Sequence, residues 1–248
     1  MLTKIKGIYY DTHYFVIKNI GAIFFISIVT TLISGMIGVI IKPNMYIISL
    51  IEKNKFSDID SVMSIINSMN HYEKREILKY SIFKIIESLI SKTFLLTNII
   101  ALISIVSNKK KSIMLYTQMI YQLFPSIFLI HFISMLIVHT SSIFFILPGI
   151  MLSCLLLLSP IIFSFNKNKL FDTIYFSIHT SWKNIKIIGP AIILWILSKF
   201  FLITILSHII FNQTLYFFIL NTSINILYAI LNIYLFRFYM IFMQSRHA

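Results

Sequence analysis

The stretch Leu147–Trp195, LPGIMLSCLLLLSPIIFSFNKNKLFDTIYFSIHTSWKNIKIIGPAIILW, decides the fold. It opens on Leu147-Pro148-Gly149 and stays apolar to Phe165. It then turns through Lys167 and Lys169 and continues in an amphipathic run ending Trp182-Lys183-Asn184. Gly189-Pro190 opens the next apolar segment. Apolar runs of this length cross a bilayer, short lysine-bearing turns stay on the cytoplasmic side, and a tryptophan beside such a lysine suits the headgroup level. The rest of the chain varies this unit.

Composition agrees. The 248 residues are 58% hydrophobic and 12% charged, with a mean hydropathy of +0.89, whereas soluble domains carry about 25% charged residues. The net charge of +13 would point to nucleic acid in a soluble chain. Here the lysines gather between apolar runs as topogenic charge, and no recognition motif accompanies them. Nucleic acid is therefore not expected as a partner; membrane lipids are, with other membrane proteins as further candidates. Cys154 is the lone cysteine, which excludes an intramolecular disulfide and a cysteine metal site.

Taken in order, Ile5, Ile8, Tyr9, Thr12, Phe15 and Val16 share a helical face, with Lys4, Lys6, Asp11 and Lys18 mostly off it. This predicts an interfacial helix. Residues 20–41 follow without charge, about 33 Å at 1.5 Å per residue, as an uncleaved first span. Residues 42–87 carry acids and bases in near balance and are expected outside. Within them, Ile59, Val62, Met63, Ile66 and Met69 keep helical period, and Asn70-x-x-Glu73 reads as a capping box.

Further spans are expected at 88–106, 120–138, 143–165, 187–210 and 217–241. Lys92 then lies near the outer end of the second span, able to snorkel. Pro125 falls in the first turn of the third, after an interfacial approach from Ile113 to Phe124. His139-Thr140-Ser141-Ser142 forms an outside loop, and a kink is expected at Pro148-Gly149 or Pro160 in the fourth span. Phe171, Ile174, Tyr175, Ile178, Trp182 and Ile185 form one face of the next interfacial helix. Lysines at 109–111, 167 and 169, with none in the loops after spans three and five, place both termini in the cytoplasm. The predicted fold is a single all-α, six-helix polytopic membrane domain with amphipathic interfacial helices on the cytoplasmic side.

Tyr10…Lys18-Asn19 matches Tyr175…Lys183-Asn184, and Pro125 and Pro190 hold equivalent places. Three hairpin units, each led by an interfacial helix, follow from this if the match reflects a repeat rather than the common look of basic-flanked hairpins.

Several motifs carry a family resemblance: Tyr10-Asp11-Thr12, Leu147-Pro148-Gly149-Ile150, Ser159-Pro160, Ser181-Trp182-x-Asn184, Gly189-Pro190-Ala191 and Tyr234-Leu235-Phe236-Arg237-x-Tyr239-Met240. Together the chain resembles the YciC-like family of enterobacterial inner-membrane proteins over nearly its whole length, least in 43–80. The Pro-Gly…Trp-x-Asn unit is also similar to membrane domains attached to some glycerophosphodiester phosphodiesterases. The resemblance implies a bacterial inner-membrane location and this architecture. It supplies no active-site residues.

A search for chemistry finds no phosphate loop, HExxH, Gly-x-Ser-x-Gly or paired carboxylates on one face. No catalytic, cofactor-binding or metal-ligating residue is assigned, and the chain is read as non-enzymatic. No Asp or Glu falls deep in a predicted span, which disfavours a proton-relay carboxylate. His131, His139 and His208 lack ligand spacing and read as helix-contact residues.

Lys199 stands out, about 18 Å into the fifth span, where a lysine costs about 2.5–3.5 kcal/mol. Either its ammonium faces a cavity and pairs with a lipid phosphate or anionic solute, or it snorkels or bonds Asn225 or Asn232. Asn98, Asn225 and Asn232 read as interhelical hydrogen bonds, and Lys18, Trp182, Lys183 and Arg237 as headgroup contacts. Two functions remain open: a component that organises envelope or lipid, and a small transporter or lipid-handling protein with Lys199 in an intramembrane cavity.

Overall fold

The computed structural model describes residues 2–40, 69–107, 112–166, 169–209 and 212–247. Among them are nine helices and no strand: α1 (Leu2–Lys18), α2 (Ile20–Ile40), α3 (His71–Ser107), α4 (Ile113–Phe144), α5 (Ile146–Leu156), α6 (Ser159–Asn166), α7 (Leu170–Lys183), α8 (Ile185–Ser207) and α9 (Gln213–His247). Six segments are long and apolar enough to cross a membrane: Ile20–Ile40, His71–Ser107, Ile113–Ser142, Pro148–Phe165, Ile185–Ser207 and Thr214–Met243. They correspond one to one with the six expected spans. Of the expected helical pattern Ile59–Met69, Met69 is described and lies in a bend before α3; the rest of it, and the lysines at 109–111 and 167, lie outside the described residues.

α9 is the centre of the bundle and packs against α1, α2, α3, α6 and α8. Its Ala229, Ile233, Leu235 and Tyr239 are fully buried. Because α1 crosses the C-terminal half of α9, both termini lie at one end, here called the terminal face; the opposite end is the far face. α2 approaches α3 and α9 through Ser27, Thr30, Thr31 and Ser34, all buried. Small residues let helix backbones approach where lipid gives no hydrophobic drive. Three of these hydroxyls donate inside their own helix, to Ile23 O at 2.8 Å, Ile26 O at 2.8 Å and Ser27 O at 2.9 Å, so their burial leaves no bare donor.

The fourth span breaks at Leu157-Leu158, between α5 and α6. Pro160 has no amide hydrogen for Leu156 O, and Ser159 Oγ donates to that carbonyl at 2.7 Å. Leu155 O is served from another helix: Ser177 Oγ donates at 2.8 Å and Ser181 Oγ at 3.0 Å. This explains which face α7 buries. Thr173, Ile174, Ser177, Thr180 and Ser181 turn inward, while Phe171, Tyr175 and Trp182 stay exposed.

Three local expectations are corrected. α4 is continuous, so no separate interfacial helix leads the third span, and Pro125 sits inside it rather than in a first turn. Membrane helices tolerate such a proline because neighbouring groups take up the freed carbonyl. His139–Ser142 is helical, and the chain turns at Phe145, whose amide bonds Ser141 O at 3.1 Å. The turn is this tight because Gly149 lies on α4: a Cβ there would stand 2.9 Å from Ser142 Cβ and 3.0 Å from its Cα.

Two of the three expected units share their local features. α1–α2 and α7–α8 each bend at an asparagine after a lysine, with Asn19 Nδ2 donating to Phe15 O and Asn184 Nδ2 to Thr180 O, both at 2.9 Å. Ile8, Thr12, Phe15 and Ile23 are buried at the places taken by Thr173, Ser177, Thr180 and Ile188. The middle unit departs, because α4 has no bend at its start.

Candidate functional site

The heights of the polar side chains follow from contacts between helices. Ser34 Oγ of α2 donates to Glu87 of α3, and Val29 and Ile26 share a small cavity with Phe94 and Asn98. Lys92, between these contacts, is therefore level with Thr30, the centre of α2, about 15 Å from either end of that helix. On α9, Thr222 Oγ1 and Asn225 Nδ2 bond Thr31 Oγ1 at 3.1 and 3.0 Å. α8 runs antiparallel to α9, with Tyr234 OH donating to Ile187 O at 3.1 Å and the Trp195 and Tyr228 rings 5.9 Å apart. One turn beyond Trp195, Lys199 reaches the height of Thr222–Asn225. Lys92 and Lys199 thus share one level, at mid-bundle.

His131 joins them at this level, because its partner Thr93 is the residue next to Lys92 on α3. His131 Nδ1 shares a hydrogen bond of 3.1 Å with Thr93 Oγ1, fixing the α4 ring beside α3. Lys199 is half-buried with its ammonium 5.9 Å from the Trp195 ring centre, while Lys92 is exposed on α3. The ion pairs among the described residues, Lys79–Glu76 and Lys84–Glu87, lie elsewhere. Two lysines and an imidazole therefore lie at one height, mid-bundle, and among the described residues no carboxylate pairs with them.

This alters the sequence-based site. Lys92 is not near a span end, because α3 already begins at His71. Asn225 bonds Thr31 across the α2–α9 seam, as an interhelical contact should. Asn232 Nδ2 bonds Tyr228 O within its own helix, at 2.7 Å, so the hydrogen bonds of both asparagines go elsewhere than to Lys199. Trp195 Nε1 is buried without a hydrogen-bond partner, its ring against that of Tyr228 in the α8–α9 seam. Asn98 Oδ1 accepts from Tyr116 OH at 2.7 Å, tying α3 to α4. Among the described residues no group of three or more His, Cys, Asp or Glu is placed to hold a metal ion.

The family described as Uncharacterised protein family (UPF0259) matches residues 1–241. The chain belongs to UPF0259. A UPF0259 membrane protein of Buchnera aphidicola subsp. Acyrthosiphon pisum (strain 5A) is 50% identical over 99% of this chain and 100% of its own length. One from Wigglesworthia glossinidia brevipalpis is 28% identical, covering 97% and 96%. One from Yersinia pestis (strain Pestoides F) is 28% identical, covering 94% of each. No solved structure matches. The motif resemblance to enterobacterial membrane proteins is borne out, and the chain is a multi-pass membrane protein of UPF0259.

In this UPF0259 chain the residues read as headgroup contacts divide. Lys18 and Lys183 are exposed at the two asparagine bends, Lys18 with its ammonium 5.6 Å from the Tyr14 ring centre, and Trp182 is exposed beside Lys183. Arg237 is half-buried: its guanidinium lies 5.2 Å from the Phe15 ring centre, binding α1 to α9, and its Nε is buried without a partner. His131 makes an interhelical contact, whereas His139 and His208 are exposed.

Sequence reasoning missed Glu87. The charge balance of 42–87 puts it in the outside loop, yet it is 6% exposed and packed on Ser34 of a spanning helix. Only the apolar run that begins immediately after it could have signalled this.

Proposed function

We propose that this chain is a non-enzymatic component of the bacterial inner membrane that holds the phosphate of an anionic lipid between Lys92, His131 and Lys199. The observation that carries this reading is the common height of these three side chains, mid-bundle, with no carboxylate among the described residues paired to them. Each mid-membrane lysine costs about 2.5–3.5 kcal/mol on insertion scales. A bound anion offsets that cost for both at once. The unpartnered Trp195 N–H in the neighbouring seam offers a further donor near the site. On this reading the termini are cytoplasmic, as the lysine distribution supports, and the protein organises lipid by retaining it rather than by chemistry.

Native mass spectrometry of gently solubilised protein tests it, with Lys92→Met and Lys199→Met beside wild type. A discrete adduct of phospholipid mass, lost in both variants, is expected. An adduct of inorganic phosphate mass would assign the site to a free anion instead. Bare protein, or the same diffuse lipid on all three, would overturn the proposal and leave a partner-binding role.

A further inference from the structure

A second site lies nearer the far face, where α2, α3 and the start of α9 border an open cavity of about 850 Å³. Its walls are apolar and aromatic, with Met36, Tyr80, Phe83, Phe217 and Phe218 among them, and its one buried charge is the Glu87 carboxylate. Ser34 Oγ donates to one oxygen of Glu87 and the Lys84 ammonium to the other, at 2.7 Å. The two ends of this ion pair differ: the Glu87 side chain is 9% exposed, that of Lys84 53%. Lys84 thus lies over a buried anion from the open side. A solvent-exposed lysine contributes little to such a pair, whereas a buried carboxylate requires a cation beside it.

We infer that this cavity binds a lipophilic monocation, an ammonium or phosphonium with apolar substituents, its charge on Glu87 in place of the Lys84 ammonium. The Lys84 ammonium marks where that charge would sit. The aromatic side chains suit the substituents, since ring faces attract cations and aromatic groups alike. The volume falls within the range of small-molecule sites. Lys84 then acts as a tethered competitor: it keeps Glu87 paired when the cavity is free and swings out when a ligand enters. This site is separate from the mid-bundle lysines and does not depend on them.

The test is equilibrium binding of tetraphenylphosphonium to the full chain in nanodiscs, with empty nanodiscs measuring partition into lipid. Saturable binding above that background is expected. Glu87→Gln should weaken it at least tenfold, and Lys84→Gln should tighten it severalfold by removing the competitor. Gly35→Met supplies a check that leaves the charges alone. Gly35 lines the cavity, and a Cβ there would meet only the Phe217 ring, at 3.6 Å. Its longer side chain should fill the space and abolish binding while the chain stays folded. Lys92→Met and Lys199→Met should bind like wild type, which separates this site from the proposed lipid site. Binding that is not saturable, unchanged by Glu87→Gln, or weakened by Lys84→Gln would overturn the inference.

Discussion

Lys92 on α3 and Lys199 on α8 stand at one height in the middle of the bundle. They come from helices that each pack on α9. Neither has a carboxylate partner among the described residues. A lysine at mid-membrane height has an apolar surrounding whether it is exposed on its helix or half-buried. Lys199→Met and Lys92→Met should therefore each stabilise the delipidated protein, by up to about 3 kcal/mol, the insertion cost of one central lysine. Thermal unfolding in detergent checks this. A fall in midpoint for both variants would mean that the lysines already have compensating partners.

Gly149 and Ser142 make a second close relationship. The α4–α5 turn brings the glycine against the serine backbone, so Gly149→Ala places a methyl within 3.0 Å of Ser142 Cα. Overpacking of this kind costs about 1–3 kcal/mol. Ser142→Gly in the same chain should recover part of the loss, because it removes the Oγ that a methyl would meet first, together with the Cβ. A double-mutant cycle on unfolding midpoints measures the coupling, and additive effects would count against the contact.

Ser177 and Ser181 both donate to Leu155 O, at the break in the fourth span. Either alone keeps that buried carbonyl paired. Single changes to alanine should cost about 0.6 kcal/mol, the average for such bonds in membranes. The double change should cost more than twice that, since it strands an acceptor. Equal and additive losses would show that water or another donor replaces them.

Orientation is tested by cysteine labelling in a Cys154→Ser background. Lys18 ends α1 at the terminal face, and His208 follows α8 at the far face; both are exposed. An impermeant maleimide should label Lys18→Cys only in inverted membrane vesicles and His208→Cys only in right-side-out ones. The reverse pattern would place the termini outside.

Much of this was legible in the chain. Apolar length gave the six spans, and the asparagine bends after Lys18 and Lys183 were visible as a matched triplet with Tyr10 and Tyr175. The Glu73 carboxylate reaches back to the Asn70 amide at 2.8 Å, as the spacing predicts. These are local properties, written in neighbouring residues. The polar centres were not local. Hydropathy assigns a charged residue to water, which puts Glu87 in a loop and Lys92 at a span end. Their depth depends on how far α3 continues toward the far face and on Ser34 opposite.

The amino-acid sequence by itself determined that this is an all-α membrane bundle of six spans, because transferring about twenty apolar residues into lipid outweighs any other choice for each segment. Only the tertiary structure decided which faces meet. In lipid, helix association rests on close packing and on polar groups finding partners, and those partners lie far apart in the chain: Thr31 with Asn225, Leu155 with Ser181, and Glu87 with Ser34. Each partner is set by the register of two packed helices, which periodicity along one of them does not contain.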